Sequence, residues 1–275
     1  MSEHHGYQHN VNKFMEEFPF YVNEYIQSKR TIAALKSLYN YFCEQTEDEN
    51  GKTYMTRNVS RVIHIRKKSE TLHYRAAQLE GKLFLDGETQ DFLNFVDTEY
   101  EIMLSKRAQV SFRKNKLRDL AILSLFLSSG IRCSELVGIN LEHLNTNENK
   151  VLVFRKEAKY DVVQIAKFSH QYIQDYVESR RKMLSETHAL FVTDYNGRIR
   201  RISNASINKL VAKYSAAYKV RVTPHTLRHT FASRLYKVSH SQVLVSNQLG
   251  HSSTKPTELY THIVSAEAKD ALSKL

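Results

Sequence analysis

Residues 117–130 read LRDLAILSLFLSSG, and from Leu120 to Leu127 apolar side chains fall on every side of a helical wheel, interrupted only by Ser124. A helix with no polar face must be surrounded, so this segment is expected at the centre of a core, with Gly130 ending it. Downstream, KVLVFRKEAKYDVVQIAKF (150–168) holds two short β-rich runs, Val151 to Phe154 and Asp161 to Ile165, which predict a β-hairpin. ALFVT (189–193) predicts a third strand. Helices are predicted over 170–184, over 204–219 with Ser203 or Asn204 as N-cap, and over 224–238 with Pro224 in the first turn. Shorter ones are predicted near 241–248, 256–262 and 266–275. The fold class is therefore mainly α with a small antiparallel β-sheet, α+β.

Upstream, the pattern is helical from about residue 88. Further back, TIAALKSLYNYFCEQ (31–45) predicts a helix with Ala34, Leu35, Leu38 and Phe42 on one face. Between the two lie Glu49-Asn-Gly51 and the basic, poorly periodic RNVSRVIHIRKKSE (57–70), read as a connector. Two parts follow: a short helical region over 1–68 and a larger domain over 69–275.

The chain has 275 residues with 8 Gly and 3 Pro, a composition of a helix-rich globular protein. Its ends and interior show no signal-peptide pattern and no apolar run of membrane-spanning length, so a soluble, cytoplasmic protein with no membrane partner is expected. Cys43 and Cys133 are too few for a zinc ribbon or a disulfide framework. Forty Lys plus Arg against 29 Asp plus Glu give +11, which points to a polyanion, and nucleic acid suits it better than an acidic membrane.

Three segments carry candidate chemistry. In PHTLRHTFASRL (224–235), His225 and Arg228 stand three apart on a helix and project from one face, an arrangement suited to a phosphate. His225 and His229 have zinc-like spacing, but no HExxH glutamate or Cys/Asp cluster completes a site, so no metal is expected. In SSGIRCSELVG (128–138), Arg132 follows Gly130 and precedes Glu135. In LGHSSTKPTELYTHI (249–263), His251 is followed nine residues on by Tyr260, with Pro256 in the first turn of the tyrosine's helix.

In this order the motifs G-I-R-x-S-E-L, H-x-L-R-H-T and L-G-H followed by Y resemble the tyrosine recombinase (phage integrase) family, and within it the single-recombinase Xer type of streptococci and lactococci. KYSAAYKVRVTPHTLRHTFASRLY (213–236) and SQVLVSNQLGHSSTKPTELYTHIV (241–264) carry the likeness, which extends from about residue 31 to the end. The resemblance implies that Tyr260 attacks a DNA phosphate to form a 3′-phosphotyrosyl link, with Arg132 and Arg228 stabilising the transition state, His225 as base and His251 as a hydrogen-bond donor. It implies Lys156, on the hairpin turn, as the acid for the leaving 5′ hydroxyl, Lys159 as the reserve, and Glu135 as a support for Arg132. No cofactor is implied, neither metal nor ATP, and no GxxxxGK[ST] loop is present.

Two departures stand out. The family turn Lys-Gly-x-Lys is Lys156-Glu-Ala-Lys159 here. The family's N-terminal core-binding clamp, about a hundred residues, is shortened: FPFYVNEYIQSK (18–29) resembles its beginning and TIAALKSLYNYF its last helix, with the middle missing near residues 29–31. An active recombinase for chromosome dimer resolution or mobile-element integration is the expected function, and a DNA-binding relative with impaired catalysis is the alternative. Expected partners are a double-stranded DNA recombination site, three further copies of the chain in a tetramer on two sites, and a DNA translocase of the division apparatus. Lys106, Arg107, Arg113, Lys114, Lys116 and Arg118, with Lys159, Arg198, Arg200 and Arg201, are the candidate DNA-facing cations.

Overall fold

The chain divides into two units, residues 1–69 and 70–275. The computed structural model describes residues 29–63, 70–155, 159–251 and 253–264. In the first unit, α1 (Lys29–Asn40) continues through a π-helical turn, Tyr41–Gln45. Its buried residues are Ile32 and Tyr39, while Ala34 and Leu38 are exposed. The expected apolar face is thus rotated: of the four residues assigned to it only Leu35 and Phe42 are half-buried. Val59 and Ile63 are also buried, one within and one just after the 3-10 turn Val59–Val62. The middle of the segment read as a connector therefore packs.

The second unit opens with α2 (Leu72–Glu80), a helix the sequence reading did not assign, started by Thr71, whose hydroxyl accepts from the Tyr74 amide at 3.2 Å. Next come α3 (Glu88–Asn94) and α4 (Lys106–Ser129). Every residue of α4 from Asp119 to Ser129 is buried, as the unbroken apolar run requires. Then follow α5 (Cys133–Gly138), β1 (Leu144–Asn145), β2 (Lys150–Arg155), β3 (Lys159–Gln164), α6 (His170–Arg181), β4 (Val192–Tyr195) and β5 (Arg198–Arg201). The chain continues into α7 (Asn204–Tyr218), capped by Ser203, α8 (Pro224–Ser239), α9 (Gln242–Leu249) and, after a 3-10 turn, α10 (Glu258–Val264). The predicted helix over 266–275 lies outside the described residues.

The hairpin forms as expected and pairs Val151 with Val163 and Arg155 with Lys159, and β1 completes its antiparallel sheet in the order β1-β2-β3. Residues 189–193 are not its third strand. Ala189 makes one bridge to Asn140, and Val192 and Thr193 begin β4, which pairs with β5 in a separate two-stranded sheet. Asn196 and Gly197 turn that hairpin with φ of 53° and 77°, the left-handed pair that an Asn-Gly turn supplies.

Asp119 is the one charged residue buried in the middle of α4, and a carboxylate there needs donors. It receives the guanidinium of Arg118 at 2.7 Å and the hydroxyl of Tyr214 at 2.7 Å, tying α4 to α7. Beside the main core, a second cluster joins Ala76, Leu83, Phe231, Val245, Leu249, Leu259, Tyr260 and Ile263, so α2, α8, α9 and α10 wall in the tyrosine. Among the described residues no helix is long and apolar enough to cross a membrane.

Gly130 joins these two cores at φ 66°, and a Cβ there would stand 2.4 Å from a Phe231 ring atom and 2.8 Å from Leu249. Left-handed strain and overpacking together are expected to cost about 2–5 kcal/mol in Gly130→Ala. The check is the urea midpoint, which should fall with an unchanged slope.

Candidate active site

Two helix C-termini meet beside Arg228, and both leave backbone carbonyls without helical partners. The Arg228 guanidinium, 3% exposed, donates through Nη1 to the Gly130 carbonyl at 2.6 Å and through Nη2 to the Leu249 carbonyl at 2.7 Å. Arg155 donates to the Leu249 carbonyl at 2.6 Å and the Gln248 carbonyl at 3.0 Å, while its Nε pairs with Asp161 at 2.6 Å. Arg132 donates to the Gly250 carbonyl at 3.3 Å. The end of α9 therefore gathers three arginines, with the negative end of its dipole offsetting their charge. Gly250 is required for this: at φ 63° its missing Cβ leaves room for Arg155, whose Nη1 would otherwise lie 2.2 Å away.

Arg132 sits at the N-cap of α5, where buried Glu135 accepts from its backbone amide at 2.8 Å and from its Nη1 at 2.7 Å. Glu135 also lies 3.7 Å from Arg155. Arg132, Arg228 and His225 line one cavity of about 450 Å³, together with Ser134, Asn204 and Asn208. A larger cavity of about 660 Å³, between α4 and α7, is lined by none of these residues.

His251 completes the cluster, its Nε2 3.2 Å from Arg228 Nη2. A guanidinium only donates, so Nε2 accepts and the ring proton resides on Nδ1. That Nδ1 is buried and has no hydrogen-bond partner among the described residues. Tyr260, on α10, is 2% exposed, and its hydroxyl lies 3.0 Å from His229 Nδ1. The His225 and His229 rings meet edge to face with centroids 4.5 Å apart.

Burial pushes the Tyr260 phenol up to about 12, with Arg228 pulling the other way. Burial, and then the neighbouring cations, hold His229 and His251 down at about 4. His225 is lowered too, by burial and then by Arg228 and Arg132. Burial and the Arg132 charge lower Arg228 to about 10, which leaves it charged at neutral pH.

In an unfolded chain His229 and His251 titrate near the ordinary value of 6.5, so between there and about 4 the unfolded state binds protons that the folded state refuses. The stability from keeping both neutral is present above that window and is lost as pH falls through it. The thermal midpoint is expected to drop across this window, and the drop should be smaller in the double variant His229→Gln/His251→Gln.

Of the expected residues, Arg132, His225, Arg228 and His251 come together, with Glu135 against Arg132 and Tyr260 behind them. Lys156 lies outside the described residues. Lys159 is exposed at the start of β3. The expected DNA-facing strip on α4 is ion-paired along much of its length: Arg113 with Glu101 at 2.5 Å, Lys114 with Asp194 at 2.7 Å, Lys116 with Asp97 at 2.6 Å and Arg118 with Asp119 at 2.7 Å. Lys106, Arg107, Arg198 and Arg200 are exposed, and Arg201 is engaged by the Val137 and Ile139 carbonyls and by Asn140. The sequence reading did not assign site roles to Arg155, His229, Asn204 or Asn208. An arginine directly before the hairpin turn and a second histidine directly after Arg228 were the available signals.

Arg228, buried, and Arg132, part-exposed, flank one cavity with a tyrosine held behind it, and among the described residues no group of three or more His, Cys, Asp or Glu could hold an ion. Residues 94–267 match the model of the phage integrase family, and the chain belongs to that family of tyrosine recombinases, which are enzymes of site-specific DNA recombination. It is similar to "Tyrosine recombinase XerS" of Lactococcus lactis subsp. cremoris (strain MG1363), 54% identical over 249 residues, which cover 90% of this chain and 70% of that protein. The protein of the same name from Streptococcus mutans serotype c is 47% identical over 285 aligned positions, covering 98% of this chain and 80% of that one. Among solved structures, the XerH site-specific recombinase in a post-cleavage complex with its difH substrate shares the fold at a TM-score of 0.65 and 22% identity, over 95% of this chain and 71% of that one. The XerA recombinase does so at 0.55 and 18%, over 100% and 93%.

Proposed function

We propose that the chain cleaves and rejoins DNA through a 3′-phosphotyrosyl intermediate on Tyr260, acting as a tetramer on two recombination sites in chromosome dimer resolution. The observation that carries this reading is the placement of Arg132, Arg228 and His225 around one cavity, with the Tyr260 hydroxyl anchored to His229 on the same helix as Arg228. A phosphodiester in that cavity meets guanidinium forks already oriented by carbonyls, so little reorganisation is needed as charge grows on phosphorus-bound oxygens. A guanidinium has five N–H donors, and the three contacts of Arg228 leave capacity for an anion. The buried Nδ1 of His251 has no partner among the described residues and would gain an acceptor from a phosphate oxygen, an unsatisfied buried donor costing about 1–3 kcal/mol. By the resemblance, Lys156 supplies the proton to the 5′ oxygen. The role in chromosome dimer resolution rests on the likeness to proteins named XerS, and the two-site tetramer rests on the family resemblance. The shortened 1–68 region serves as one jaw of the DNA clamp.

The test is a nicked suicide duplex carrying a Xer-type site, incubated with the protein in EDTA without ATP and run on a denaturing gel. A covalent adduct supports the reading. A chain that shifts the duplex in a native gel yet forms no adduct overturns it in favour of DNA binding without cleavage.

A further inference from the structure

The family constellation carried by this sequence has one histidine, His225, in the helix of Arg228, and the resemblance gives it the role of base. In the structure His225 lines the cavity, and the phenol oxygen is instead bonded to His229, one turn on. The two rings touch, but they face different things: His225 the cavity with Arg132 and Arg228, His229 the tyrosine.

Resting on the assignment of Tyr260 as nucleophile, we propose that His229 is the proton acceptor for Tyr260, receiving the phenol proton on Nδ1, 3.0 Å away, as the oxygen bonds to phosphorus. The phenol O–H bond breaks, its proton moves to the Nδ1 lone pair and the O–P bond forms. The bond from phosphorus to the 5′ oxygen breaks, its electron pair stays on that oxygen, and the acid of the hairpin turn protonates it. Rejoining reverses each transfer, and the imidazolium returns its proton to the tyrosine oxygen. His225 is then left to hydrogen-bond the phosphate.

A Tyr260 hydroxyl that donates requires the tautomer of His229 with its proton on Nε2. Burial first, and then His225 and Arg228 on its own helix, Arg75 from α2 and His251 from the loop after α9, disfavour the charged form of the ring and keep it neutral. The same groups make it a weak base in the empty site. An entering phosphate anion offsets those charges and raises its basicity, and the phenol gives up its proton to the ring only as its oxygen bonds to phosphorus.

Single-turnover cleavage of the suicide duplex, measured across about pH 6 to 9, tests this with His229→Asn, His229→Ala and Tyr260→Phe side by side. Asparagine can place an accepting oxygen near the Nδ1 position and hold the phenol, but it cannot take a proton. His229→Asn is expected to bind DNA normally and to cleave about a hundredfold more slowly, with a rate that climbs with pH because hydroxide must now ionise the phenol. Added imidazole is expected to restore part of the activity of His229→Ala. A His229→Asn chain that cleaves within about twofold of the parent rate with the parent pH profile overturns the proposal and leaves His229 a packing residue. Adduct that persists in Tyr260→Phe instead overturns the assignment of the nucleophile, a result distinguishable from failure of the histidine's role.

Discussion

Tyr260→Phe is expected to lower covalent capture of DNA by at least about 10⁴-fold, because the substitution removes the only atom of that side chain able to bond phosphorus. The ring stays in the cluster formed with Leu259, Ile263, Phe231 and Leu249, so the fold should survive. What is lost structurally is the bond to His229, worth about 0.5–1.5 kcal/mol. A urea titration run beside the cleavage gel checks both halves. Complete loss of adduct with a nearly unchanged midpoint separates a missing nucleophile from a missing fold.

Arg228→Lys is expected to lose about 10²- to 10³-fold in cleavage and to destabilise the chain as well. The guanidinium spans two carbonyls at the ends of different helices, Gly130 after α4 and Leu249 in α9. A lysine ammonium is a point charge on a flexible stem and cannot bond both while also presenting a planar fork to phosphate. One carbonyl left without its donor in a buried setting costs about 1–3 kcal/mol. Arg132→Lys makes the informative comparison, since the Arg132 side chain is 30% exposed and donates to a single carbonyl. Its activity should fall similarly with a smaller loss of stability. Both variants keep the positive charge, so the salt dependence of DNA binding should change little while cleavage falls.

Much of this architecture was legible in the sequence because the responsible forces are local. The all-round apolar run of α4 announced burial, Ser203 and Pro224 marked two helix starts, and alternating β-branched residues gave the first hairpin. The second hairpin escaped because its strand residues Arg198, Arg200 and Arg201 look like a solvated basic patch. The Asn196-Gly197 pair was its signal. The rotated face of α1 escaped for another reason: Ile32 and Tyr39 lie seven apart, and so does an alternative apolar set, leaving helical spacing alone to choose between them. The site divides the same way. Short motifs marked Arg132, His225, Arg228, His251 and Tyr260, but what holds them is long-range. Arg155 reaches carbonyls 94 and 93 residues away, and His229 meets its tyrosine 31 residues on. No pattern within a sequence window reports contacts of that kind.

The most direct test of the central claim is to digest the covalent protein–DNA adduct with trypsin and nuclease and to locate the nucleotide remnant by mass spectrometry. A 3′-linked phosphate on Tyr260 is the expected result. A remnant on another side chain, or one joined through a 5′ phosphate, would contradict the account of a tyrosine delivered to a phosphate gripped by Arg132 and Arg228.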